Sequence, residues 1–167
     1  MGMRRLILVL PLLLLPCLAR AQDHPFGFGL VLGAPTGLSA KLYLSRPMAL
    51  QFGLGWEPCC RYYRGLDVNV DVLWHPAIIT RQPSFVMPFY LGVGARFLDH
   101  TNAPYPYNDH VHVGVRVPFG ILMDFPQIQL DVFLELAVVV DIIYTGSYPD
   151  DHDRADINGG IGVRYYF

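Results

Sequence analysis

Charge is scarce in this chain. Asp, Glu, Lys and Arg together make up 16% of its 167 residues, against roughly a quarter in an ordinary soluble domain. The signs nearly cancel, at a formal net charge of -2, so there is no basic surface for nucleic acid and that class is excluded. Long uncharged apolar runs are missing too. Hydrophobic residues reach 53% and the mean hydropathy is +0.33, which points to a membrane. Yet nothing beyond the N-terminal segment approaches the roughly 20 apolar residues of a spanning helix. A hydrophobic chain without such helices leaves the closed β-barrel, the other structure that satisfies its own backbone in lipid.

The first residues stand apart from the fold. Arg4 and Arg5 form a short basic region, Leu6 to Leu15 an apolar stretch, and Ala19-Arg20-Ala21 a small-x-small cleavage site before Gln22. This is the layout of a secretory signal peptide over residues 1–21. Pro16 stands where lipoprotein processing through Cys17 wants a small residue, which argues against that route. Residues 22–167 then make one domain by size. Cysteine is rare, and only the adjacent Cys59 and Cys60 survive export. Neighbouring cysteines close a strained ring with difficulty. A vicinal redox pair, a soft-metal site and an intermolecular bond are the functional alternatives to two small residues at a barrel rim. Nothing nearby supplies further metal ligands.

What the chain has in abundance is alternation. Phe26, Phe28, Leu30 and Leu32 lead, followed by the turn Ala34-Pro35-Thr36-Gly37. Leu38 to Leu44, Leu50 to Trp56, Leu66 to Trp74, Phe89 to Phe97, Val111 to Phe119, Leu130 to Ile142 and Ile157 to Phe167 repeat the pattern, with polar residues or glycine between. About eight strands result, and the apolar set carries no charge. The expected fold is an eight-stranded antiparallel up-and-down transmembrane β-barrel, of the size of the smallest outer-membrane barrels. Pro118 lacks a ladder donor and is expected to mark the approach to a turn.

The alternation allows two barrels. A soluble, lipocalin-like calyx would turn the apolar face inward to bind an apolar ligand, and a membrane barrel would turn it outward. About 40 apolar side chains overfill a lumen barely wide enough for ordinary ones, and the opposite face is glycine-rich, as a crowded lumen requires. Aromatics also gather at strand ends as an interfacial girdle. Phe26, Phe52, Trp74, Phe89, Phe119, Tyr165 and Phe167 fall near one rim, and Trp56, Phe97 and Tyr144 near the other. The longer connections, Pro58 to Gly65, Leu98 to His110 and Gly146 to Asp156, then point outward from the cell. The segment after His75 is the exception, being long for a periplasmic turn. The final strand, with Gly162, Tyr165 and Phe167, resembles the signal read by barrel-assembly machinery, with Gly160 in place of the usual polar residue. Outer-membrane lipid and that machinery are the expected partners.

The order of motifs is also familiar. Gly33-Ala34-Pro35-Thr36-Gly37-Leu38-Ser39-Ala40-Lys41 is followed by Asp71-Val72-Leu73-Trp74-His75 and by Pro88-Phe89-Tyr90-Leu91-Gly92-Val93-Gly94-Ala95-Arg96. Gly114-Val115-Arg116-Val117-Pro118-Phe119-Gly120, Asp131-Val132-Phe133-Leu134-Glu135 and Arg164-Tyr165-Tyr166-Phe167 complete the set. Together they resemble a widespread family of short bacterial outer-membrane-type barrels with no assigned activity. The resemblance implies fold and location, and no catalytic residue.

Inward-facing charges are the candidate site. Lys41, Arg96, Arg116 and Arg164 are expected to face Asp67, Asp71, Asp131, Glu135 and Asp141 in a salt-bridged plug, because buried charges need partners. Tyr43, Tyr90, Tyr166 and His75 can complete its hydrogen bonds. Arg116 and Arg164 are each expected to bridge a lumen carboxylate. The functional alternative is a narrow ion or proton path. A lipid-modifying enzyme needs a nucleophile with a base in reach. No mature serine sits two residues from a histidine on a strand face, and a loop site of Ser147, His152 and Asp150 rests on common residue types. The acidic loops Asp99-His100, Asn108-Asp109-His110 and Asp150-Asp151-His152-Asp153 match no metal-binding spacing. They read as solvated loops, with no cofactor or metal expected.

Overall fold

The computed structural model describes residues 24–56, 65–100, 110–145 and 155–167. The segment expected to be a signal peptide, Cys59 and Cys60, and the loop residues Ser147, Asp150 and His152 lie outside them, as do the side chains of His100, His110 and Tyr144. The described chain forms eight strands: β1 (Phe26–Gly33), β2 (Thr36–Tyr43), β3 (Met48–Trp56), β4 (Leu66–Arg81), β5 (Val86–His100), β6 (His110–Phe125), β7 (Leu130–Thr145) and β8 (Ala155–Tyr166). Each pairs antiparallel with the next, and β8 pairs with β1 to close the barrel. The seam is held to its end, where the Phe167 amide donates to the Phe26 carbonyl at 2.8 Å. Closure leaves no edge among the described strands to template aggregation.

The period of two sorts the side chains. Phe28, Leu30, Phe52, Val93, Leu134 and Ile161 face outward and are exposed, while Lys41, Gln51, Asp71, Arg116, Asp131 and Arg164 face inward and are buried. The calyx alternative required the reverse, and the structure overturns it. In water each outward leucine or phenylalanine would forgo roughly 1.5–3 kcal/mol of burial.

Two further expectations are corrected. The segment after His75 is not a loop: β4 continues to Arg81, β5 starts at Val86, and the turn between them is closed by the Gln82 amide on the Phe85 carbonyl. Register shifts between Trp74 and Ala77 and between Ile78 and Thr80 break the alternation there, which is why the sequence pattern fades. Pro118 marks no turn either. It pairs with Ala137 within β6 and is fully buried. The β5–β6 ladder lapses beside it, between the Leu91–Phe119 and Gly94–Arg116 pairs. The missing N–H therefore costs one local interruption, and the strand resumes on the same register.

The register is staggered around the barrel. A rung followed from Phe26 passes Leu42, Leu50, Val72 and Val93, and on the same register Val117, Val138 and Ile157. Ile157 lies above Gly160, the partner of Gly33 at the last paired position of β1. A rung that starts at the foot of β1 thus ends above its top, the offset that accompanies tilted strands in a barrel.

Candidate functional site: the charged lumen

Inward parity brings charges from β2, β4, β5, β6, β7 and β8 into one interior, and the structure sorts them into two tiers. The inner tier is built around the Gln51 side chain. Its amide nitrogen donates to Glu135 Oε2 at 2.8 Å, and its carbonyl oxygen accepts from Arg164 Nη1 at 2.7 Å. Glu135 also accepts from Tyr90 Oη at 2.8 Å and from Arg116 Nη2 at 2.7 Å. Arg116 spends its other terminal nitrogen on Asp71. Arg164 donates through Nε to Asp131 Oδ1 at 3.1 Å, and the Tyr166 hydroxyl donates to Asp131 Oδ2 at 2.5 Å. The network therefore runs unbroken from Asp71 on β4 through Arg116 on β6, Glu135 on β7, Gln51 on β3 and Arg164 on β8 to Asp131 on β7.

Packing makes room for it. The Arg164 guanidinium lies over the Phe133 ring at 3.9 Å from its centroid, a cation–π contact that substitutes for water on that face. Phe133 in turn occupies the space that a side chain at position 162 would take: a Cβ on Gly162 would lie 2.3 Å from the ring. Gly94 likewise opens onto Asp71, whose Oδ1 would be 2.2 Å from a Cβ there. Glycine on the inward face is thus the complement of large inward side chains on the next strand.

Lys41 departs from the expected salt-bridged plug. It is fully buried, but its Nζ meets His75 Nε2 at 2.9 Å and lies 4.9 and 5.2 Å from the Tyr43 and Tyr90 ring centroids. His75 Nδ1 is 3.2 Å from the Pro47 carbonyl. That arrangement suits the tautomer with Nδ1–H donating to Pro47 and Nε2 accepting from the lysine. Aromatic faces and one imidazole replace the carboxylate.

The outer tier lies toward the β7–β8 loop. Arg96 pairs with Asp156 at 2.9 Å and with Asp141 at 3.3 Å, and His112 Nδ1 stands 3.0 Å from Asp141. Asn158 is buried beside them. Asp67 is buried as well, and Asn69 donates to its Oδ1 at 3.2 Å. Among the described residues, no group of three or more His, Cys, Asp or Glu is placed to hold a metal ion. Beneath the β1–β2 turn, Ala34, Pro35, Gln51, Asn69, Arg116 and Glu135 line a partly open cleft with room for about one water molecule. Ser39 accepts a long 3.4 Å contact from Arg164, which makes it part of the plug.

A search for charged residues passes over Gln51, Asn69, Asn158 and Phe133. Parity places all four inward, but three are neutral amides and one is a hydrocarbon. Asp156 is also missed, because the sequence assigns it to a loop while β8 begins at Ala155.

The aromatic set divides. Phe26, Tyr165 and Phe167 are exposed near one end of the barrel, with Tyr165 and Phe167 in edge contact at 5.1 Å, and Trp74 and Phe89 lie toward the same end on β4 and β5. Trp56 and Phe97 are exposed toward the other end. Phe52 is instead the middle residue of β3, and Phe119 lies well short of the end of β6 at Phe125. Both sit away from the rims: Phe119 shares a rung with Leu91 and Trp74, and rungs climb around tilted strands, so it stands higher than Trp74, which lies beside Met48 at the foot of β3. Of the expected terminal signal, Gly162 points into the lumen while Tyr165 and Phe167 point out.

No family model matches the chain, and neither does any curated protein. Among solved structures it is similar to the N-terminal β-barrel domain of OprF from Pseudomonas aeruginosa, with a TM-score of 0.58 over 87% of this chain and 100% of that one. At 16% identity the likeness concerns the fold: an all-β, closed, antiparallel eight-stranded barrel.

Proposed function

We propose that this chain is an integral protein of the bacterial outer membrane, with a structural or interaction role and no assigned chemistry. One observation carries the reading: a belt of exposed, uncharged apolar side chains encircles a barrel whose lumen holds Lys41, Asp67, Asp71, Arg96, Arg116, Asp131, Glu135 and Arg164 buried. Monomeric soluble proteins rarely expose contiguous apolar patches beyond a few hundred Å², and this belt runs through every strand. Lipid is the solvent that such an exterior fits. Assembly by barrel-assembly machinery belongs to the same reading, through Gly162 and Tyr165 on β8 and Phe167 just after it.

A narrow channel is the less favoured alternative, because guanidinium–carboxylate pairs cross the lumen at two levels. A lipid-modifying enzyme is favoured by no catalytic arrangement among the described residues.

Membrane fractionation followed by a detergent gel tests the proposal. The protein is expected in the outer-membrane fraction, migrating faster unheated than boiled. Soluble protein without a mobility shift would overturn it.

A further inference from the structure

The two rims of the barrel are built differently. The rim at the β1–β2 turn follows a single rung: Thr36 pairs with Trp56, Trp56 with Leu66, Leu66 with Asp99, Asp99 with Val111, and Val111 with Thr145. Rungs climb around a barrel of tilted strands, so this rim rises from β2 to β7 and steps down across β8 to β1. At the opposite rim the strands do not follow a rung. There β4, β5, β6 and β7 are prolonged to Arg81, Val86, Phe125 and Leu130, which offsets the climb.

The wall therefore has unequal height. β1 and β2 have 8 residues each, and β6 and β7 have 16. At a rise of about 3.3 Å per residue and a tilt of roughly 35–45°, these strands stand about 20 Å and about 40 Å tall. On the tall side exposed apolar residues continue up β7 as far as Ile142 and Ile143, at 70% and 54% exposure. The low side is closed by a pinned turn: the Gly33 amide donates to Thr36 Oγ1 at 3.0 Å, the Thr36 hydroxyl returns to the Gly33 carbonyl at 2.7 Å, and the Ala34 amide donates to the Gly159 carbonyl at 2.8 Å. The usual apolar band of such barrels is about 25 Å. No single tilt of the barrel levels both rims, since one is sloped and the other is not.

We propose that the β1–β2 face thins the bilayer beside it, so that this side of the barrel is a lipid-facing surface matched to a membrane thinner than the one the β6–β7 face requires. The proposal rests on the outer-membrane reading. Its partner is the acyl layer itself: the outward residues of β1, Phe26, Phe28, Leu30 and Leu32, are apolar and exposed, as is Leu38 beside the turn on β2. Membranes answer a short apolar wall by thinning.

The chain's two tryptophans report on this directly. Trp56 adjoins Thr36 at the low rim, and Trp74 shares a rung with Met48 at the other end of β3. Both are more than half exposed. One short strand separates them, about 20 Å in height, while a full hydrocarbon core is about 30 Å.

The full chain, as W74F and as W56F, is refolded into palmitoyl-oleoyl phosphatidylcholine vesicles containing lipids brominated either near the headgroup or deep in the chain. Both tryptophans are expected to be quenched about twofold more by the shallow bromines. Stronger deep quenching of either one would mean a bilayer of full thickness and overturn the proposal. Trp56 escaping both quenchers would overturn it too, because a second protein copy would then cover the face. Failure of both variants and the parent chain to enter vesicles, with no heat-dependent mobility, would instead strike the membrane reading itself.

Discussion

The two tiers of the lumen use the same residue types to different effect. Around Gln51 the guanidinium groups of Arg116 and Arg164 meet their carboxylates at positions that are almost wholly buried. At the outer tier Arg96 is also buried, but its nearer partner Asp156 has 47% of its side chain exposed. Burial raises both the strength of an ion pair and the penalty for leaving one member alone. Exposure lets water and salt screen the pair. The inner tier should therefore behave as one rigid unit whose members are costly to remove singly, and the outer tier as a set of separable contacts.

Glu135→Ala should break this contrast most severely if it is wrong. The carboxylate accepts from Arg116 Nη2, Gln51 Nε2 and Tyr90 Oη together, so its loss removes the acceptor of three buried donors and leaves Arg116 with Asp71 alone. A loss of about 3–5 kcal/mol is expected, measured by urea unfolding in vesicles with gel mobility as readout. A loss below about 1 kcal/mol would mean that the inner tier is hydrated.

Arg164→Met should cost about 3 kcal/mol, because Asp131 keeps only the Tyr166 hydroxyl. The methionine stem preserves contact with Phe133, so the loss reports the charge. Adding Asp131→Leu should restore most of the stability, since apolar replacement of a whole buried pair is tolerated better than removal of one partner. A double variant weaker than the single one would show that the pair itself, and not its uncompensated remnant, sets the stability. Gly162→Ala should come next, at about 1–3 kcal/mol from overpacking. Phe133→Leu should relieve only part of that, because the Leu30 carbonyl would also stand 2.5 Å from the new Cβ.

Parity explains why so much of the fold is legible in the sequence. From Phe26 to Phe167 a side chain's position in the alternation decides whether it meets lipid-like exterior or lumen, and the inward charges from Lys41 to Arg164 can be named from that alone. Legibility fails where the backbone departs from period two. The bulges after Trp74 disguise a strand as a loop, and the unpaired step at Ile142, between the Val113–Ile143 and Gly114–Asp141 pairs, leaves Ile142 and Ile143 both exposed. It fails again for partner choice. Arg164 meets Gln51 across 113 residues of sequence, and such a meeting depends on stagger, which no single strand records. Lys41 shows the same limit: its position in the lumen is readable, but its aromatic and imidazole surroundings come from three different strands, β2, β4 and β5.

The smallest effect should come from Asp156→Asn, and its smallness is informative. The amide keeps an oxygen for the Ile157 N–H, which donates to Asp156 Oδ1 at 2.8 Å, so the local turn of backbone is preserved. Arg96 retains Asp141 and the neighbouring Asn158 amide. Only the exposed half of a divided ion pair is removed, worth about 0.5 kcal/mol at low salt. Raising the ionic strength toward about 1 M contracts the screening length to about 3 Å, and the difference from the parent protein should then vanish. The cost of Glu135→Ala should stay unchanged over the same range, because salt does not reach the inner tier. A salt-independent loss above about 2 kcal/mol for Asp156→Asn would place the outer pair in the same dry interior as Arg164. The lumen would then be one sealed plug from end to end, with no wet mouth.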